Sequence, residues 1–345
     1  MQEVTSENLM SGGEQENGKT LVIQPLPGIG DMVWHVPHLR RIARTACGGQ
    51  VTVLTKRRSQ ADRLLAAEPA VRDFLWLERN PGRHDGLVGL WRLARQIEAG
   101  RFHTAWVLHG STRYALACRW AGVPRRIGYG RGWQRFFLSD PVRLPKGEQH
   151  RHPIAMAERF LDLAGLPPAE ALPLAVCGKA RAAALQRYGA CPRPWAAFAI
   201  GTSEPNRQWG RERFAALGAA LLRGDAATLL VIGGRAEAEA AGWISNQLLG
   251  SAGRCVPITD EPLDRVVALV QECRFLVGND TGVFNIAAAL GVPSIGLFAG
   301  HDVALSYSPA IIPVTPAQPQ QGITEIPVEA VLRRIEGLGG ACSGH

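Results

Sequence analysis

The sequence predicts an α/β protein built from two doubly wound, Rossmann-like domains, each a parallel sheet with helices on both faces. Three observations carry that expectation. Short runs rich in Val, Ile and Leu alternate with amphipathic stretches along the whole chain, as strands buried on both faces do when crossover helices join them. The apolar runs of the second half end in Gly, Asn or Asp just where a helical pattern begins. The alternation breaks once, in a Pro- and Gly-rich stretch near the middle, and then restarts.

Taken in order, residues 1–18 are polar, lack an apolar core and read as a flexible tail. The first domain, 19–165, has candidate strands TLVIQPL, QVTVLTK, FLWL and TAWVLHG. The helical patterns VPHLRRIARTA and GLWRLARQIEAG lie between them, with Leu, Ile and Ala inward and Arg outward. Residues 166–194 (LPPAEALPLAVCG, a short helix, then CPRPW) read as the linker. In the second domain, 195–326, WAAFAIG, ATLLVIGG, RFLVGND and VPSIGLF are strands. RERFAALGAALLRG, AEAEAAGWISNQLL, LDRVVALVQEC and TGVFNIAAALG are the helices between and after them. After the Pro/Gln-rich VTPAQPQQG, residues 327–345 hold a last amphipathic helix started by Pro327 and a tail. Ligands of open parallel sheets sit beyond the carboxyl ends of the strands, so both domains are expected to aim their loops at a central cleft.

Composition narrows the function classes. With 345 residues, 46% hydrophobic and 20% charged, the chain is neither fibrous nor disordered. No apolar run approaches the roughly 20 residues that cross a bilayer, and a cytoplasmic location is expected. Seven cysteines, scattered and without a CxxC pair, argue against a disulfide framework or structural zinc. The net charge of +8 is concentrated. Arg113, Arg119, Arg125, Arg126, Arg131, Arg135, Arg143 and Lys146 face one acid, Asp140, in the 113–146 region. That region reads either as a solvated basic face or as a dock for an anionic glycan, a lipid surface or nucleic acid. Trp133, Phe136 and Phe137 interleave with it, but no nucleic-acid module accompanies them, which places nucleic acid last.

Two stretches carry chemistry. In LPGIGDMVWHVPHL, Gly28 and Gly30 fit a dinucleotide fingerprint, but its third glycine is Val33 and Asp31 would repel a pyrophosphate, so a nicotinamide dehydrogenase ranks third. Asp31 is either a helix-start acid or a general base, with His35 one turn later on the same face and Trp34 and Val36 turned to the core. In VGNDTGVFNIAAALG, a strand runs through Gly278, Asn279, Asp280, Thr281 and Gly282 into an Ala-rich helix. This is a phosphate-binding helix start, or an ordinary unit capped by Asp280. The loop from Gly201 through Thr202, Ser203 and Arg207 to Trp209 has the same strand-to-helix position, and Arg207 could neutralise a diphosphate. Glu237, after Gly233 and Gly234, stands where an acid commonly holds ribose hydroxyls.

Together these segments resemble glycosyltransferase family 9, the ADP-heptose heptosyltransferases of lipopolysaccharide core assembly, from Leu21 to about Leu338. Gly30, Asp31, Pro37 and Leu39 match the family's GDxxxxxPxL, and Arg125 to Gly128 fit its next segment. Arg207-Gln208-Trp209 partly matches its K-x-W loop. Asp280, Thr281, Gly282, Ala287 to Gly291, Pro293, Leu297 and Phe298 match its D-[ST]-G block. The family's loop lysine is Arg207 here, and the histidine of its D-[ST]-G block is Asn285. The resemblance implies a GT-B fold and an inverting, metal-independent transfer, with ADP-heptose as a substrate and no cofactor. It implies Asp31 as general base, a donor site of Thr202, Ser203, Arg207, Glu237, Asp280, Thr281, Gly282 and Asn285, and an acceptor site of Gly30, His35, His109, Arg113 and Arg126. The acceptor would be an anionic glycan or glycolipid at the inner face of the cytoplasmic membrane, with peripheral contact through 113–146. Another nucleotide sugar, a small-molecule acceptor, or nucleotide binding without turnover stay open, as does the oligomeric state.

Overall fold

The computed structural model describes residues 18–148, 152–202, 204–224, 227–251, 254–300, 307–318 and 322–340. The expected flexible tail therefore lies, up to residue 17, outside the described residues. The chain divides into two compact units, Met1–Leu172 and Pro173–His345.

The first unit is a six-stranded, wholly parallel sheet: β1 (Lys19–Ile23), β2 (Val51–Thr55), β3 (Val71–Trp76), β4 (Phe102–Val107), β5 (Arg125–Gly128) and β6 (Asp140–Pro141). Their spatial order is 3-2-1-4-5-6. Helices α1 (Ile29–Ala43), α2 (Ala61–Leu64), α3 (Gly86–Ala99), α4 (Thr112–Trp120) and α5 (Pro153–Leu163) complete it. In α3, Leu90, Leu93, Ala94 and Ile97 are buried at helical spacing, packing with Leu21, Ile23 and Val107 of the central strands.

The second unit has α6 (Gly178–Tyr188), β7 (Trp195–Ala199), α7 (Arg211–Arg223), β8 (Thr228–Ile232), α8 (Ala238–Gln247) and β9 (Arg254–Ile258). It continues with α9 (Leu263–Gln271), β10 (Cys273–Asn279), α10 (Gly282–Ala289), β11 (Ser294–Leu297), β12 (Ile311–Val314) and α11 (Val328–Gly340). Its sheet is parallel throughout, in the order 12-11-10-7-8-9. Renumbered within the unit and viewed from the other side, this is the same winding as the first sheet. The strand order reverses between β1 and β4 in one unit and between β7 and β10 in the other, and the crevice at such a switch point is where these sheets bind ligands.

Two sequence expectations change. α1 begins at Ile29, seven residues before VPHLRRIARTA, and runs through Pro37, which sits on its exposed side. Four strands lie outside the predicted set: β5, β6, β9 and β12.

α1 is locked to α5 by charge. Arg41 is buried, and its guanidinium reaches Glu158 at 2.6 Å, Asp162 at 2.7 Å and the Leu166 carbonyl. Beside it, His38 Nε2 donates to Glu158 at 3.0 Å. Because the two carboxylates remain half exposed and can rehydrate, Arg41→Ala is expected to cost about 3 kcal/mol, mostly lost packing and a buried carbonyl left unpaired, read from urea unfolding.

Candidate active site

In the first unit the residues gather at the carboxyl ends of β1 and β4. Gly28 caps α1, and its amide donates to Asp31 Oδ2 at 2.8 Å. A Cβ on Gly28 would stand 2.7 Å from that same oxygen, so the turn needs glycine to bring backbone and carboxylate together. Asp31 is thus a first-turn acid, and it is also half-buried. Burial raises its pKa above the ordinary aspartate range, against smaller lowering by the Gly28 amide and His152. Gly30 lies in the same first turn.

His35 does not share the exposed face expected for it. It is buried, its Nδ1–H donates to the Asp31 backbone carbonyl at 2.7 Å, and its ring meets His38 edge-on at 5.2 Å. Burial first, then His38, lowers its pKa to about 3, so it stays neutral at working pH. Trp34 is the half-exposed neighbour instead, because α5 covers the side of α1 that the sequence reading left open. The edge of Trp34 contacts His152 at 4.8 Å. His152, the N-cap of α5, faces Asp31 electrostatically and was missed by sequence reasoning; the His-Pro pair at a helix start was its one signal.

His109 follows β4, and its Nδ1 accepts the Ser111 amide at 3.0 Å. Its pKa is lowered by burial and by the facing cations Arg79 and Lys56. Arg113 and Arg126, expected at the acceptor, also brace the backbone. Arg113 Nη2 donates to the carbonyls of His84 and, at 2.8 Å, Gly86. Arg126 donates to Phe137, Val123 and Pro124 carbonyls at 2.8, 2.5 and 2.7 Å. A guanidinium's fixed fork can satisfy several carbonyls at once, and both side chains use it to hold loop backbone.

In the second unit the residues gather after β7, β8 and β10. Asn279, the last residue of β10, is fully buried. Its amide group donates to the carbonyls of Ile200 at 2.9 Å and Gly201 at 3.3 Å and to Gln208 Oε1 at 2.5 Å, while its Oδ1 accepts the Trp209 amide at 3.2 Å. Trp209 is buried too, and its indole N–H donates to Ile326 at 2.9 Å. The loop that carries Thr202 and Arg207 is therefore pinned beside the loop that carries Asp280. Arg207 Nη1 meets Asp280 Oδ2 at 3.1 Å, and its Nε meets Glu204 at 3.2 Å. Thr202 Oγ1 closes a small turn by accepting the Glu204 amide at 3.2 Å. Ser203 lies outside the described residues.

The cap of α10 is Thr281, not Asp280: Thr281 Oγ1 accepts the Phe284 amide at 3.2 Å. That releases the Asp280 carboxylate to pair with Arg207 and leaves the Gly282 amide in the first turn, where a helix supplies no acceptor of its own. Asn285 is buried beneath this turn, donating to Thr281 O at 2.8 Å and accepting the Tyr307 hydroxyl at 2.7 Å. It supports the helix start from below. Glu237 repeats the Asp31 arrangement: its Oε2 accepts the Gly234 amide at 2.7 Å, and its carboxylate carbon lies 3.5 Å from where a Gly201 side chain would begin. Glu237, Gly201, Arg207, Asp280 and the start of α10 therefore form one polar border around the β7/β10 switch point. No cluster of three metal-ligating side chains occurs among the described residues.

The profile of glycosyltransferase family 9 (heptosyltransferase) matches residues 90–316, about two thirds of the chain and all of the second unit's border. The chain belongs to glycosyltransferase family 9. Asp31 lies before the matched span. Lipopolysaccharide heptosyltransferase 2 of Escherichia coli K12 is 28% identical over 226 residues, which is 60% of this chain and 62% of that protein. The match thus spans less than two thirds of the relative's length. Among solved structures, the family 9 glycosyl transferase of Veillonella parvula superposes with a TM-score of 0.78 at 20% identity, covering 94% of this chain and 98% of that one. The E. coli ADP-heptose lipopolysaccharide heptosyltransferase II gives 0.75 at 23% identity, covering 93% and 98%. These likenesses establish the GT-B fold of two Rossmann-like domains.

Within this family member, Asn279→Asp removes every donor from the amide hub and sets a carboxylate against three oxygens. It is expected to cost about 3 kcal/mol in urea unfolding, whereas Gln208→Ala, which touches only one bond of the hub, should cost about 1 kcal/mol.

Proposed function

We propose that the chain transfers heptose from ADP-heptose to an anionic glycan acceptor of the lipopolysaccharide-core class, with inversion at the anomeric carbon and without a metal ion. The observation that carries this reading is Asp31, a half-buried carboxylate with a raised pKa, held by the Gly28 amide at the β1/β4 switch point. As the acceptor hydroxyl forms its bond to the anomeric carbon, Asp31 takes the hydroxyl proton, and the bond from that carbon to the ADP phosphate oxygen breaks. Its Oδ1, which has no hydrogen-bond partner among the described residues, is the receiving atom.

In the second unit, charge develops on the departing diphosphate. Arg207, the Gly282 amide and the dipole of α10 supply the compensation. Asp280 orients Arg207 through their ion pair, Thr202 lines the diphosphate loop, and Glu237 accepts the ribose hydroxyls. Asn285 acts from below, by holding the helix start in place. Gly30, His109 and His152 border the acceptor in the first unit, with the hydroxyl near Asp31. The acceptor is held by lipid, so the protein works at the inner face of the cytoplasmic membrane, and no described helix is long and apolar enough to cross it.

The test begins with the donor. Calorimetric titration should show ADP binding in preference to UDP, GDP, dTDP and NAD, with affinity at least tenfold weaker in Asp280→Ala; preference for another nucleotide would reassign the sugar donor. Asp31→Asn should then lower turnover of ADP-heptose roughly 10²-fold or more while ADP binding is kept. Retained ADP binding without turnover in the wild type would make the chain a binding homologue.

The pH behaviour follows from the same carboxylate. A base with a raised pKa loses activity as pH falls through that value, so the acid limb of kcat/KM should lie above the ordinary aspartate range and vanish in Asp31→Asn. For stability the sign is opposite. An acid whose pKa is raised by folding favours the folded state most when protonated, and that contribution is lost as pH rises through the raised value. Asp31→Asn should therefore melt at the same temperature or higher near neutral pH, measured by calorimetry.

A further inference from the structure

Among the described residues, every aromatic side chain in the set of exposed large hydrophobics lies in the first unit, between Trp91 and Phe136. Two groups of these exposed side chains lie on elements that are each tied to the start of α4. Leu87, Val88 and Trp91 occupy the outer side of the first turns of α3, with Leu87 80% exposed. Trp133 and Phe136 occupy a 3₁₀ turn, Gly132–Phe136, with Trp133 75% exposed and the two rings 5.6 Å apart. Arg113, at the start of α4, binds the carbonyls of His84 and Gly86 at the start of α3. Gln134, in the 3₁₀ turn, donates to the carbonyls of His109 and Ser111 at the start of α4, at 2.7 and 3.3 Å. Both apolar groups therefore flank the start of α4, at the carboxyl edge of the sheet that also carries Asp31 and His109. Trp120, at the far end of α4, is not part of the patch.

Arginines rim this patch. Arg92 is exposed farther along the outer side of α3, followed by Arg95, which pairs with Glu98 at 2.5 Å, and Arg131 and Arg135 are exposed before and in the 3₁₀ turn. The Arg135 guanidinium lies 4.7 Å over the Phe136 ring. From 113 to 139 the chain holds no acid. A second copy seated on this face by two-fold symmetry would bring arginine rim against arginine rim, which like-charge repulsion opposes. A surface of anionic headgroups over acyl chains satisfies both features at once, with Trp and Phe at the interfacial depth and guanidiniums on phosphates.

We propose that Leu87, Val88, Trp91, Trp133 and Phe136, rimmed by Arg92 and Arg135, form a wedge that docks the first unit onto an anionic phospholipid bilayer. The purpose assigned to the wedge, presenting Asp31 to an acceptor held in that bilayer, rests on the function proposed above. Docking itself is measured without donor or acceptor, so the two can fail separately.

The full chain should float with vesicles containing about 30% phosphatidylglycerol in phosphatidylcholine, and far less with phosphatidylcholine alone, the binding weakening as salt is raised. Trp133→Ser with Phe136→Ser should weaken that binding about tenfold or more through lost apolar contact. Arg92→Gln with Arg135→Gln should weaken it roughly fivefold per arginine. Both double variants should keep the wild-type melting temperature and ADP affinity, which separates lost docking from lost folding. In the unaltered chain, bromine-bearing acyl chains should quench tryptophan fluorescence on vesicle binding. Absence of flotation, salt-independent flotation, absence of quenching, or flotation unchanged in both variants would overturn the proposal. So would a wild-type dimer that becomes monomeric in the Trp133→Ser, Phe136→Ser variant, because the face would then belong to a second copy.

Discussion

The second unit depends on one buried carboxamide. Asn279 ends β10, and its side chain joins the backbone that leaves β7 to the loop that carries Arg207. A residue without a donor at that position would leave the carbonyl of Ile200 buried without this bond, and unpaired buried polar groups cost more than the bonds themselves gain. Because Trp209 is anchored through the same side chain, the loop cannot fold back into solvent. Gly278 lets this junction close: a Cβ there would lie 2.6 Å from that of Ala199 on β7. The Arg207–Asp280 pair is thus a consequence of how tightly β7 and β10 are joined.

The two units repeat one local device. After the strand a glycine caps the next helical turn, and an acid three residues on bends back to accept the glycine's amide: Gly28 with Asp31, Gly234 with Glu237. The device holds a carboxylate at the edge of the sheet without the entropy of a free side chain. Its environments differ. Asp31 is pressed between the start of α1 and the His152 end of α5, where desolvation outweighs the amide bond and raises the pKa. Glu237, also half-buried, stands next to the Gly201 backbone.

How far the sequence could be read follows the same physics. The central strands β1, β2, β7 and β8 are buried on almost every residue and announce themselves as continuous apolar runs. β9 and β12 are sheet edges with a mixed burial pattern and a proline each, and β5 opens with two arginines, so none carries that signal. At the site, strand-to-helix loops with glycine and an acid were legible because the chemistry sits in the local pattern. What was not legible depends on packing from elsewhere. The side of α1 that holds His35 is covered by α5, over a hundred residues away, and Asp280, with Thr281 as the cap, pairs with Arg207 from the β7 loop.

Arginine shows most plainly why charge counted along a sequence misleads. Arg41 is sealed against two carboxylates, and Arg113 and Arg126 each place part of the guanidinium on backbone carbonyls. In each case the planar fork reaches several oxygens that a lysine would reach one at a time. These side chains add to the net charge of +8 but offer little to a partner in solution. The basic stretch therefore divides into an inner set that shapes the loops and an outer set, Arg131 and Arg135 among them, that faces outward beside Trp133 and Phe136. The inner set is what makes the outer one a surface. Arg113 ties the start of α4 to the start of α3, and Gln134 ties the 3₁₀ turn to the same place, so the elements that carry the two apolar groups are fixed on one framework.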